Sequence, residues 1–400
     1  MKVVFAPDSF KGSLSADAAA RAMAAGWRRV FPQTECVLLP VADGGEGTRS
    51  ALVTATGGRN IAQTITDALG ERREACWGLL GKGETAVVEL ADAAGLTQVP
   101  PERRDPKRTT TYGVGELLLA AVRHPGVRTV IVGLGGSATN DGGAGLLTAL
   151  GVRLRDGAGC DLPPGGASLI DLASVDFSEL RLDPASVDVR IACDVDHPLT
   201  GPHGASAIFG PQKGATPDDI VLLDAALARF ASVLGIDPVR PGSGAAGGAA
   251  AGLLRLFPNA VLLPGIRLVL EAVGFERHLV GATLALTGEG RLDGQTLGGK
   301  AVAGVGNRAR AAGVPTAALV GGITGEIDPA RLASEAGVDA VLPIVPGPCT
   351  LEEALRNAEP WLSDAAERAA RWIGLGRNGV FADMAGRAGN PVEHDEITGR

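Results

Sequence analysis

Short glycine-rich clusters hold most of the side chains in this sequence that could do chemistry. APDSFKGSLS (6–15) offers Asp8, Ser9 and Lys11, and VADGGEGT (41–48) sets Asp43 and Glu46 among glycines. GLGGSATNDGGAG (133–145) carries Ser137, Thr139, Asn140 and Asp141. ACDVDHPL (192–199) brings Asp194 and Asp196, and IFGPQKGA (208–215) brings Gln212 and Lys213. The last cluster, TGEGRLDGQTLGGK (287–300), holds Glu289, Arg291, Asp293 and Lys300. Glycine lets backbone N–H groups close on an anion. Lysine adds a fixed positive charge, and a carboxylate can hold Mg²⁺ or take the proton of a hydroxyl. Such parts suit phosphoryl transfer to a small hydroxylated acid. Any one cluster is also ordinary turn chemistry; it is their recurrence just after strand-like runs that carries the reading.

Other motifs weigh less. Gly294–Lys300 has the spacing of a phosphate-binding P-loop, but Ala301 stands where Ser or Thr should hold Mg²⁺. Gly242-x-Gly244-x-x-Gly247 matches a dinucleotide fingerprint only as text, because the preceding GIDPVRP is a poor strand. Those glycines are expected to form a closely packed helix entry or to meet an anion. No G-x-S-x-G occurs, and His197 and His203 lie in a Pro/Gly loop, so a Ser/His/Asp hydrolase is thinly supported.

These groups need elements to hold them. Lys2–Ala6 reads as a strand. Ser15 then caps a helix whose apolar positions (Ala19, Ala22, Met23, Trp27, Val30) recur at helical spacing. Cys36–Val41 is a second strand, which implies a parallel pair with a crossover. Asn60–Thr66 and Thr85–Leu90 flank a glycine-rich turn and predict hairpins in a mixed sheet. Thr129–Gly133, Val187–Cys193, Thr283–Thr287, Thr316–Val320 and Ala340–Ile344 are further strands. Helices are expected over 143–150, from the Thr216-Pro217-Asp218-Asp219 start, and from the Thr350/Glu353 capping box, with Pro360 kinking or restarting the last. Both chain ends share one strand–helix grammar. The reading is therefore α/β with a parallel-sheet domain from 1–60 plus 282–375 and an inserted mixed-sheet domain at 61–281. Residues 376–400 lose periodicity and read as a mobile tail.

Composition narrows the class. With 58 glycines and 45% apolar residues, the chain can bury a core, and no three-residue glycine period points to collagen. The net charge of −8 disfavours nucleic acid. No uncharged run is long and apolar enough for a membrane span, and MKVVFAPDSF lacks a signal-peptide core. Five scattered cysteines without a CxxC argue against a disulfide framework or zinc site, and predict reduced, mostly buried thiols in a cytoplasmic protein.

With TTTYGVGEL and PGSGAAGG added, these clusters occur in an order that resembles the bacterial glycerate kinase family over about residues 1–375. The resemblance implies a Rossmann-like domain built from both ends, an inserted domain, and a site in the cleft between them. It implies ATP-dependent phosphorylation of D-glycerate to 2-phosphoglycerate, although some members are described as giving 3-phosphoglycerate. On that reading Lys11 meets the substrate carboxylate. Asp194, or else Asp43, acts as base, and Lys213 or Lys300 neutralises the moving phosphoryl group. Asp8, Ser9, Glu46, Ser137, Asn140, Asp141, Glu289, Asp293 and Lys300 line the substrate and nucleotide. Mg²⁺ falls to Asp194, Asp196 or Glu289. His197 departs from the family's usual Asn and Val302 from a frequent Pro, and neither change removes a carboxylate or lysine. Two rival classes are a nicotinamide-dependent hydroxy-acid oxidoreductase, whose fingerprint the first strand–helix turn lacks, and a non-enzymatic binding protein for small acids.

Overall fold

The computed structural model describes residues 1–45, 47–292, 300–325 and 328–376. The chain opens with strand β1 (Lys2–Pro7), helix α1 (Ala16–Arg28) and β2 (Glu35–Leu38). Ser15 Oγ accepts the Ala18 N–H, the cap that the sequence predicts. Next come α2 (Thr48–Thr56), the antiparallel strands β3 (Arg59–Thr66) and β4 (Arg72–Leu79), then β5 (Thr85–Glu89) and α3 (Leu90–Ala94). Then α4 (Tyr112–Arg123), β6 (Thr129–Gly133), α5 (Ala144–Ala149), the small pair β7 (Arg153–Arg155) and β8 (Ser174–Asp176), and β9 (Asp188–Ala192) follow. The stretch α6 (Ala205–Phe209), α7 (Pro217–Leu234), α8 (Ala249–Leu256), β10 (Val261–Leu263), α9 (Gly265–Val273) and α10 (Phe275–Leu279) leads to β11 (Leu284–Leu292). The chain closes with α11 (Ala301–Ala311), β12 (Thr316–Ile323), α12 (Pro329–Arg331), β13 (Ala340–Pro343), α13 (Leu351–Arg356) and α14 (Ala358–Leu375).

Two sheets organise these elements. The first has order β13-β12-β11-β1-β2, with every pairing parallel. The second has order β10-β9-β6-β5-β4-β3; its β10-β9-β6-β5 part is parallel and its β5-β4-β3 part antiparallel. The mixed sheet begins near residue 60, as the hairpin signals place it, but β4, which those signals miss, lies between the two predicted strands and pairs with both.

The packing explains the small-residue composition. On one face of the first sheet, Phe5 and Leu286 pack with Trp27 and Met23 of α1 and with Leu362, Ala366 and Ala370 of α14. A Cβ at Gly26 would lie 1.8 Å from the Ser363 carbonyl oxygen, so the two helices touch through backbone. The opposite face shares a core with the second sheet. Val4, Ala6 and Ala285 belong to the same buried cluster as Val87, Ile131 and Ala192, joined by Leu52, Val269 and Val305 of α2, α9 and α11. The other face of the second sheet carries its own core, including Val88, Val132, Leu117, Leu146, Leu227 and Phe230.

Two local expectations change and one, at Gly242–Gly247, holds. β11 runs on to Leu292, so Glu289 and Arg291 sit within a strand paired to β12 and not in a loop. Gly288 and Gly290 allow this: a Cβ at Gly288 would stand 2.0 Å from the Leu319 carbonyl oxygen of β12, and one at Gly290 would stand 3.3 Å from the backbone of Phe10 and Lys11. Gly242–Gly247 forms turns before α8, with Gly244 pressed on the Pro198 carbonyl and Gly247 on that of Thr139. It is a close-packed helix entry. The cysteines are free, but Cys160 and Cys349 are exposed and the others only partly buried, because they lie on outward positions and loops. Glu46, the 294–299 stretch and the 376–400 tail apart from its first residue lie outside the described residues.

Candidate active site

The carboxyl ends of both sheets' parallel strands meet in one region, where open α/β sheets bind ligands. Asp8 follows β1, Asp43 lies beyond β2, Glu289 stands in the last part of β11, and Asp194 follows β9. The 43–45 loop makes the contact between the sheets. Gly44, at φ +92°, could not carry a side chain, because its Cβ would meet Ala192 Cβ at 2.7 Å. A Cβ at Gly265 would strike the Asp43 carbonyl oxygen at 1.9 Å. The Gly265 N–H in turn donates to Asp194 Oδ1 at 2.9 Å. One backbone seam therefore carries a carboxylate from each sheet.

A cavity of about 490 Å³ opens on the first sheet's side, lined by Asp8, Ser9, Lys11, Asp43, Glu289 and Lys300 among others. That volume suits a small-molecule site. Its electrostatics are strained in a useful way. Asp8 is buried, and desolvation together with the charge of Asp43 raises its pKa to about 7; Glu289 adds to this, while the Ser9 N–H and Lys11 oppose it. Asp194 reaches solvent, yet the surrounding cleft wall and Asp43 lift its pKa to about 6, against the Gly265 N–H and Lys300. A carboxylate poised there can take a proton near neutral pH.

The structure gathers Asp8, Ser9, Lys11, Asp43, Asp194, Glu289 and Lys300. It places a second set elsewhere. Lys213 is wholly buried and donates to Ser137 Oγ (2.8 Å) and the Thr139 carbonyl (2.6 Å). Burial lowers its pKa to about 7, which the charge of Asp141 partly offsets. Asp141, also fully buried, accepts from Thr111 N and Oγ1 and from the N–H groups of Gly143 and Gly145. Asn140 donates to Ser206 Oγ at 2.9 Å. These contacts place Lys213, Asn140, Asp141 and Ser137 outside the cavity lining, where they hold the 134–145 loop, while Asn140 Oδ1 and Thr139 Oγ1 are buried with no hydrogen-bond partner among the described residues. Asp196 is exposed beyond β9. His197 makes a ring contact with Phe209, and its Nδ1 lies 3.0 Å from the His203 carbonyl. Glu46 and Asp293 lie outside the described residues.

One group went unnoticed in the sequence. Glu89, the last residue of β5, is buried and accepts the N–H of Arg49 (2.6 Å) and Gly47 (3.4 Å). Gly47, the cap residue of α2, has no side chain, so Glu89 does the capping from the second sheet. Arg49 then grips Asp92 through Nε (2.7 Å) and Nη2 (3.2 Å). Burial pushes Glu89 to a pKa of about 7, opposed mainly by the Arg49 N–H. Its signal was an acid closing an apolar strand, TAVVE, the same position that Asp8 holds after β1.

The family model described as "Glycerate kinase family" matches residues 3–374. A glycerate kinase of Bacillus subtilis (strain 168) is 47% identical over 382 residues, covering 94% of this chain and 99% of that protein. A glycerate 2-kinase of Escherichia coli (strain K12) is 44% identical over 383 residues, with the same coverage of each chain. A crystal structure from Salmonella typhimurium LT2, provisionally named glycerate kinase 2, superposes with a TM-score of 0.84 at 45% identity, covering 94% of this chain and 99% of that one.

Proposed function

The chain belongs to the glycerate kinase family, and on that premise we propose that it transfers the γ-phosphoryl group of ATP to a hydroxyl of D-glycerate, giving 2-phosphoglycerate and ADP. The observation that carries this reading is the seam at Asp43, Gly265 and Asp194, which sets acids of both sheets beside Lys300 at one cleft. Lys11 and glycine-loop N–H groups meet the carboxylate of glycerate. Asp194 takes the proton of the attacking hydroxyl, because its pKa of about 6 leaves it ionised at neutral pH while keeping it basic. Lys300 offsets charge on the phosphoryl group in flight. Most of the acceleration is then positioning and charge stabilisation.

Among the described residues no group of three or more His, Cys, Asp or Glu could hold a metal ion alone. The hard carboxylate oxygens of Asp8 and Asp43 suit Mg²⁺ that keeps phosphate and water ligands, and when bound it would neutralise the β- and γ-phosphates. Asp8, now lifted by burial and by the charge of Asp43, would ionise fully beside it. We assign the catalytic lobes to 1–60 plus 282–375 and to 61–281, a division that the membership of the two sheets supports, and the enzyme to the cytoplasm, where its ATP is supplied. No described helix is long and apolar enough to cross a membrane.

The test is ADP release from ATP with D-glycerate, followed by enolase added alone to the product. ADP formation and an enolase-dependent signal are expected. A product that needs phosphoglycerate mutase before enolase acts would make the chain 3-phosphoglycerate-forming. No ADP at all, with D-glycerate still bound, would make it a binding protein.

A further inference from the structure

The cavity's second half is apolar, and its lining comes from the far edge of the first sheet. Ile344 and Val345 follow β13, and Leu351 and Leu355 project from α13. Leu351 and Leu355 are four apart and so share a helix face. They are 75% and 37% exposed, an apolar wall left facing the opening. α13 is held firmly: Thr350 and Glu353 form a capping box, and Asn357 Nδ2 donates to the Glu353 carbonyl at 2.8 Å. The floor is bare backbone, since Gly290 and Gly321 approach so closely that a Cβ at Gly321 would lie 2.3 Å from the Gly290 carbonyl oxygen.

The topology places this half. β1 is flanked by β11 and β2. α1 packs on one face of the sheet and α11 on the other. The ends of β1 and β11 therefore form the crevice where strand order reverses, the usual ligand position in open α/β sheets. β13 and β2 are the sheet's two edges, and the wall reaches inward along that span: a Cβ at Gly12, in the loop after β1, would lie 3.7 Å from Leu355 Cδ2. Lys11 and Lys300 stand on the polar side of that span.

We infer that the wall formed by Ile344, Val345, Leu351 and Leu355 is the nucleobase subsite for the phosphoryl donor, with its phosphates directed toward Lys300 and the acceptor acid held beyond them, among Lys11, Asp43 and Asp194. This rests on the kinase reading for its donor. The orientation puts the flat, weakly hydrated base on apolar side chains and the charged end among charged ones.

The experiment is titration of the full chain with ADP, for wild type, Leu355→Asp, Leu351→Asp and the conservative Leu355→Met. Kd for ADP is expected to rise about tenfold or more in each Asp variant and to stay within about twofold for Leu355→Met. KM for D-glycerate should stay within about twofold throughout. Both sites are exposed, so thermal midpoints should hold; were Leu355→Asp to lose stability, Leu351→Asp decides. Unchanged ADP affinity in a folded Asp variant would overturn the assignment, as would a rise in the D-glycerate KM with ADP binding intact. Leucine-dependent ADP binding in a wild-type chain that phosphorylates no D-glycerate would uphold the base subsite while removing the acceptor reading.

Discussion

Asp8 is 6% exposed, with Asp43 and Glu289 for neighbours and a single short hydrogen bond from the Ser9 N–H at 2.6 Å. Its pKa of about 7 in the fold, against 3.8 ordinarily, has a definite sign in stability. The unfolded chain gives up this proton first, so the native state holds more protons between those values, and stability falls as pH rises from about 4 through 7. Asp8→Asn removes that penalty and can keep the Ser9 contact through its amide oxygen. In urea unfolding the variant should exceed wild type by roughly 2 kcal/mol at pH 8, with the gap closing toward pH 4. A gap independent of pH would contradict the assignment. Side-chain types were legible at this scale wherever a polar residue directly follows a strand, as with Asp8 and Asp194. Burial was not. Lys213 and Asp141 carry the same letters as catalytic groups, and only packing shows that Ser137, Thr139 and Thr111 occupy their hydrogen bonds.

α2 shows how an element positions the site. It begins at the glycines after Asp43, its cap residue Gly47 offers no side chain, and Glu89 supplies the missing acceptor from another sheet. Glu89→Ala removes the acceptor of two N–H groups at a part-buried helix start. A loss of about 2–3 kcal/mol and a kcat reduced about tenfold are expected, as the loop bearing Asp43 loosens. Glu89→Gln keeps an acceptor oxygen and should restore most of both. Equal melting temperatures and rates for the Ala and Gln variants would show that Glu89 holds nothing. Local signals found most elements, because capping boxes at Thr216 and Thr350 and the apolar periodicities act within a few residues. They missed the length of β11, which is set by paired glycines distant in sequence, and the reach of Glu89 across sheets.

At the scale of the molecule, the two sheets are tied by a common core in which Val4 and Ala285 meet Val87 and Ile131 through α2, α9 and α11. A shared apolar interface of this kind resists free rotation of the lobes. It also fixes the seam at Gly44 and Gly265 on which the cleft depends. The alternation of strand and helix at both chain ends was legible and agrees with one parallel sheet that takes strands from both ends; the shared core could not be anticipated, since its members are spread through the chain with nothing local to mark them. The central claim is that acids from both sheets act in one site. A double-mutant cycle on kcat for D-glycerate phosphorylation, with Asp43→Asn, Asp194→Asn and both, tests it directly. Asp194→Asn alone should cost at least about 100-fold. The pair should then fall short of the summed single effects by more than about 1 kcal/mol, as for groups that share a reacting centre. Effects that add within about 0.5 kcal/mol would contradict the claim.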